Sequence, residues 1–213
     1  MVGMTWQLTW ERQTVAMDYG HFLLVGGPSE HADDYAPLLD SATDGDASGI
    51  AGDGRMLVVI SPHQNNFELE LDVEIWELEP VDDVDDWQQV VRSWLAVDED
   101  AFGYESPTLP FVRFEVPAGR YAVEVAGRGF VARGWPGSTA PGDVWRVRLW
   151  PAKDPTPTYV RRTWSPGPPA PEPVPGPAEV RERERASESS WLSSLDPAVR
   201  AVLPQDGGPL PDV

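Results

Sequence analysis

Four small residues, Asp44, Asp46, Ser48 and Gly49, have the types and spacing for metal chemistry, since they match the first, third, fifth and sixth positions of a calcium-binding EF-hand loop. The twelfth position, where such a loop needs a bidentate Glu, is Arg55, and no helical pattern flanks the stretch. A flexible acidic loop is the competing reading and the favoured one. Three histidines are scattered. His21 lies inside an apolar run, the setting of a hydrogen-bonded core histidine, while His31 and His63 fall in turn-like segments. With no second histidine or properly spaced carboxylate pair beside any of them, neither a zinc site nor a Ser-His-Asp arrangement assembles from the sequence. No catalytic residue, metal ligand or cofactor is therefore assigned.

The remaining chemistry is charge. Between Arg55 and Arg92 there is no lysine or arginine, while Glu68, Glu70, Asp72, Glu74, Glu77, Glu79, Asp82, Asp83, Asp85 and Asp86 supply ten carboxylates. The first four are spaced two apart, so on a strand they stand on one face and repel one another, a cost that a cationic partner would relieve. The ordinary alternative is a solvated outer face whose repulsion salt screens over a Debye length of about 8 Å. The whole chain carries a formal charge of −19. Residues 1–154 hold 27 acids against 10 bases, and residues 155–213 hold 8 against 6. Phosphate backbones are bound by lysine and arginine, so the first segment is a poor candidate for direct nucleic-acid contact and an attractive surface for a basic protein. Solubility is the blander reason for such acidity.

The elements that position these groups read as strands. Trp6, Leu8 and Trp10 alternate with polar residues, residues 15–25 form a second apolar run ending at Gly26-Gly27, and residues 56–60 a third. Over residues 67–79, Phe67, Leu69, Leu71, Val73 and Ile75 oppose the carboxylates. The phase then flips to Trp76 and Leu78, and a β-bulge at that point would return both halves to one core. Residues 111–116 and 121–125 flank Pro117-Ala118-Gly119-Arg120, the pattern of a hairpin. Residues 143–150 close the series. Residues 28–54, rich in Gly, Asp, Ser and Ala, read as a long loop. Trp87, Val90, Val91, Trp94 and Leu95 fall at helical spacing behind Asp85-Asp86, so pattern alone predicts a helix there; β-branched content and the strand-rich neighbourhood argue against it. The fold class predicted is all-β, an antiparallel β-sandwich.

Nine prolines in residues 155–178 forbid helix or sheet and mark a linker, which ends the acidic sandwich domain at residue 154. Residues 179–213 read as a short helical or disordered tail, in which Trp191, Leu195, Val199 and Val202 would share one helical face. No run reaches the roughly 20 apolar residues of a membrane span, and the first residues lack the pattern of a secretory signal. Cysteine is absent, which excludes disulfides and thiolate chemistry and suits a reducing compartment. A cytoplasmic protein without membrane contact is expected.

The order Asp18-Tyr19-Gly20-His21-Phe22-Leu23-Leu24-Val25, then the 67–79 strand, the segment at 87–97, and Phe111-Val112-Arg113-Phe114-Glu115-Val116-Pro117-Ala118-Gly119-Arg120-Tyr121-Ala122-Val123, resembles the ComJ-like family, the DNA-entry nuclease inhibitors of competent bacteria and their relatives. The resemblance covers roughly residues 13–151 and rests on apolar alternation plus one turn. It implies a β-sandwich, a strand rather than a helix at 87–97, and a small acidic protein that blocks a basic nuclease by direct binding. It carries no residue-level functional motif. The function expected is thus a non-enzymatic acidic protein-binding module, most sharply an inhibitor or immunity-type protein for a basic nuclease or toxin, with the ten carboxylates as its partner-binding residues. The alternative, from a different class, is an adaptor that recruits its partner through the C-terminal tail.

Overall fold

Alternation of apolar and charged residues builds the strands at 67–76 and 144–151, and continuous apolar runs build those at 21–25 and 56–60. The computed structural model describes residues 5–27, 35–44, 49–62, 67–98, 101–130 and 142–165. Among these, eleven strands form two sheets. One sheet holds β1 (Gln7–Met17), β5 (Phe67–Trp76), β10 (Val144–Pro151), β9 (Gly119–Arg128), β6 (Gln89–Val97) and β11 (Tyr159–Arg162), side by side in that order. The other holds β3 (Ile50–Gly52), β4 (Met56–Ile60), β2 (His21–Val25), β7 (Ala101–Glu105) and β8 (Val112–Glu115). All pairings are antiparallel except β5 with β10. This is the all-β sandwich predicted.

Because side chains alternate across a strand, one set from each sheet meets in the middle. Leu69, Leu71 and Val73 of β5, Trp145, Val147 and Leu149 of β10, and Val123 and Val125 of β9 pack against Phe22, Leu24, Leu57, Val59, Phe102, Tyr104 and Phe114 of the second sheet. Trp145 lies fully buried, with the Phe22 ring edge-on at 5.4 Å and the Phe130 ring at 5.3 Å. The second sheet's outer face is covered too: Leu23, Val25, Met56 and Val58 pack beneath a helix, α1 (Ala36–Asp44), through Leu38, Leu39 and Ala42.

Several expectations are corrected. Residues 28–54 contain α1 and β3 instead of one long loop; Pro37 suits the first turn of a helix, where an amide donor is not needed. Residues 112–115 and 119–128 do not form a hairpin. β8 pairs with β7 while β9 pairs with β10 and β6, so the Pro117–Gly119 turn carries the chain from one sheet to the other. The irregularity near Trp76 lies on the opposite strand, where Leu8 is the extra residue between Gln7 (facing Trp76) and Thr9 (facing Ile75). Strand β5 ends at Trp76, and Leu78 remains exposed. Residues 89–97 are a strand, as the resemblance implied and the helical spacing did not. Its apolar residues are not confined to one face because both faces are covered: Val91 and Leu95 enter the core, and Val90 packs under Trp87 on the other side. The sheet also continues past residue 154, through β11.

Candidate protein-binding surface

Strands β5 and β6 run parallel in the same sheet with β10 and β9 between them, so the connection over residues 77–88 must cross the outer face. It does so as an extended strap with a single 3₁₀ turn at Val84–Asp86. The sheet beneath is unusual in carrying arginines at its centre. Arg146 and Arg148 alternate with the inward Trp145, Val147 and Leu149, and therefore stand outward on β10; register sets Arg148 beside Glu74 on one neighbour and Glu124 on the other.

Asp83 of the strap closes over this pair. Its two oxygens accept from Arg146 at 2.6 and 2.9 Å and from Arg148 at 2.8 and 2.8 Å, two forked contacts on one carboxylate. Arg148 donates from Nε to Glu74 at 3.0 Å. Glu124, almost wholly buried, accepts from Arg92 at 3.0 Å and from Arg161 of β11 at 3.2 Å, with Arg146 at 3.5 Å. Arg92 continues to Glu79 and Arg161 to Asp82, each at 2.6 Å. Trp87, near the end of the strap, is buried with the Arg146 guanidinium over its ring at 4.2 Å. At the far side Arg12 of β1 forks onto Asp72 at 2.7 and 2.7 Å.

The protonation behaviour follows. Burial opposes the charged form of Asp83, but the hydrogen bonds and charges of Arg146 and Arg148 outweigh it and bring its pKa down to about 2. The Arg161 hydrogen bond lowers Asp82. Arg92 resists burial through Glu124 and Glu79 and is raised.

This lattice corrects the premise that the carboxylates of β5 and the strap stand unneutralised. Glu68, Glu70, Asp72 and Glu74 do share the outward face, but the relief of their repulsion is internal: Arg12 serves Asp72 and, at 3.8 Å, Glu70, and Arg148 serves Glu74. Asp82, Asp83 and Glu79 are likewise paired, and Asp85 faces Arg162 at 3.4 Å while remaining fully exposed. Glu68, Glu77 and Asp86 are exposed and show no ion pair among the described residues. The missing signal was non-local. The arginines come from β1, β6, β10 and β11, and only the alternation Arg146-x-Arg148 in an otherwise apolar strand pointed to carboxylates beside it.

His21 is buried, its ring nitrogen Nδ1 3.1 Å from the Tyr19 carbonyl, the core role expected. The adjoining Asp18 accepts from the Ser106 hydroxyl at 2.7 Å and from the Thr108 amide at 3.1 Å, tying the β1–β2 turn to the segment after β7; these bonds hold its pKa below the usual value against the opposing effect of burial. Asp46 and Ser48 of the calcium-like stretch, His31, His63 and the segment 179–213 lie outside the described residues. Among the described residues no three His, Asp or Glu side chains are grouped to hold a metal ion, and no helix is long and apolar enough to cross a membrane.

What these features define is an all-β sandwich with one outer face locked by an arginine–carboxylate lattice under a crossing strap. Two solved structures are similar to it: the crystal structure of ComJ, inhibitor of the DNA degrading activity of NucA, from Bacillus subtilis, at 18% identity over 70% of this chain and 100% of that one with a TM-score of 0.48, and crocagin biosynthetic gene J, at 12% identity over 68% of this chain and 100% of that one with a TM-score of 0.44. The first of the two carries the name of the family that the residues resemble. No protein-family model matches the chain, and no match is found among the curated proteins.

Proposed function

We propose that the chain is a non-enzymatic protein-binding module that takes a basic protein partner. The observation that carries this reading is the acidity left over once the lattice is satisfied. Glu70, Asp72, Glu74 and Asp83 are committed to arginines, yet Glu68, Glu77, Asp85 and Asp86 remain outward, and Glu79 and Asp82 are each 57% exposed despite their ion pairs. Arg146 and Arg148 tie the strap to the sheet through Asp83, which reduces the ordering cost of presenting these outer carboxylates to a partner. An acidic surface of this kind raises the association rate of a cationic partner, an effect that falls with ionic strength. The sharper form, an inhibitor or immunity-type protein that covers the positive groove of a nuclease or toxin, comes from the family resemblance of residues 13–151 and rests on it.

The test is capture from lysate of the source cells at two salt concentrations, with the wild-type chain and the E77K/D85K/D86K variant compared side by side. A basic protein held by the wild type, released as salt rises and lost in the variant is the expected outcome. Capture that is indifferent to both salt and charge reversal contradicts the reading.

A further inference from the structure

The geometry points to β1 as a docking edge for an extended, basic segment of a partner, which would add as a further strand to the six-stranded sheet; this rests on the protein-binding reading above and gives it a place. Among the described residues, strand β1 is the outermost of its sheet and pairs with β5 alone, so no described strand meets the backbone donors and acceptors on its other side. From Thr9 to Met17 its register with β5 is unbroken; the Ala16 carbonyl accepts from the Tyr104 hydroxyl at 2.9 Å, so the open template is the stretch from Thr9 to Val15 beyond the bulge at Leu8.

Free edges are normally blunted by bulges, by charges pointing along the edge, or by a covering element. Here the bulge is confined to one end. The one basic residue of β1, Arg12, is drawn back across the sheet to Asp72 and does not guard the edge. Three large apolar side chains instead stand open around it: Trp6 at 59%, Leu8 at 60% and Trp10 at 55% exposure. Leu8 and Thr9 form one wall of an open groove of about 530 Å³ whose other wall is Arg113, Glu115 and Val116, on and just after β8, the outermost described strand of the second sheet. Anchors beside an unpaired edge are what strand addition uses: backbone hydrogen bonds for affinity and alternate side chains for selectivity.

Charge selects the occupant. Glu11 on β1, Glu77 next to it (its amide donates to the Trp6 carbonyl at 3.1 Å) and Glu115 across the groove show no ion pair among the described residues. Arg113, the basic group of the groove, already has a partner. A second copy of the chain would bring another −19 to this edge, including a second Glu11, so a cationic segment fits and a copy does not.

The probe is a capped peptide alternating valine and lysine, about ten residues long to span a typical strand, with a valine–glutamate peptide as its counterpart and residue-resolved amide exchange of the full chain as the readout. The lysine peptide is expected to slow exchange of the outward β1 amides about tenfold or more, the glutamate peptide to leave them unchanged, and Leu8→Lys or Trp10→Lys, exposed positions that leave the core intact, to abolish the protection. Lysine-peptide binding that protects no β1 amide overturns the edge while leaving the acidic module standing. Equal protection by both peptides overturns the charge selection, and no binding of either peptide overturns both readings. Sedimentation showing a dimer that Leu8→Lys disperses would assign the edge to a second copy and also overturn the proposal.

Discussion

Replacing Asp83 with Asn tests whether one strap carboxylate holds two buried arginines. Arg146 and Arg148 are 6% and 9% exposed, and Asp83→Asn leaves both to share Glu74 and Glu124. Breaking a fully buried pair costs about 3–5 kcal/mol, but Asp83 is itself 26% exposed, so water enters and the loss is smaller. The carboxylate's own titration gives a second estimate. Its pKa of about 2 in the folded chain lies roughly two units below the free value, and at about 1.4 kcal/mol per unit, discounted for partial solvent screening, this amounts to about 1–2 kcal/mol. An overall loss near 2 kcal/mol corresponds to a Tm lower by roughly 4–8 °C for a domain of this size.

The pH dependence is the sharper check. A depressed carboxylate contributes stability that is fully present above its unfolded pKa, near 4, and is lost as pH falls toward 2. The variant lacks that contribution at every pH, so the gap between wild type and variant should be widest at neutrality and close between about pH 4 and pH 2. Urea unfolding followed by tryptophan fluorescence at pH 7, 4 and 2.5 measures it, with Asp86→Asn, an exposed carboxylate, as the control expected to stay within about 0.5 kcal/mol. A gap under about 0.5 kcal/mol at pH 7, or one that persists unchanged to pH 2.5, refutes the claim that Asp83 anchors the strap.

Three further outcomes follow from the packing. Gly26→Ala would place a Cβ 1.8 Å from the Ala96 carbonyl oxygen, a clash with backbone, and should destabilise by more than about 2 kcal/mol in thermal unfolding. Trp145→Ala empties the centre of the sandwich and should cost about 3–5 kcal/mol by urea denaturation, with Trp145→Phe clearly milder because it keeps most of the ring volume and removes an indole N–H that finds no acceptor among the described residues. Arg12→Ala leaves Asp72, 8% exposed, without its forked partner, but Arg12 is itself 48% exposed and water can take its place, so stability should fall by about 1–2 kcal/mol and the gap should narrow in high salt more than that of Asp83→Asn.

Local pattern was enough wherever a strand has one wet and one dry face. The alternation marks both the inward set of β5 and its outward carboxylates, and the structure keeps Leu69, Leu71, Val73 and Ile75 inside and Glu68, Glu70, Asp72 and Glu74 on the outward face. It fails where the far side of an element is decided by distant chain. Residues 87–97 mimic a helix because the strap covers one face of β6 and the core the other, so the period of two is erased. The turn at Pro117–Gly119 reads the same whether the chain doubles back within a sheet or steps between sheets; only the partners of β8 and β9 distinguish them. Charge followed the same rule. Residues 55–92 hold ten acids and no base between the flanking arginines, yet the sheet brings Arg12, Arg146, Arg148 and Arg161 from more than 50 residues away to meet them. What remains unpaired therefore carries more functional weight than the tract as a whole: a carboxylate bound to a buried arginine contributes to holding the strap, and Glu11, Glu77, Asp86 and Glu115, which no described arginine serves, are the ones whose field a partner would meet.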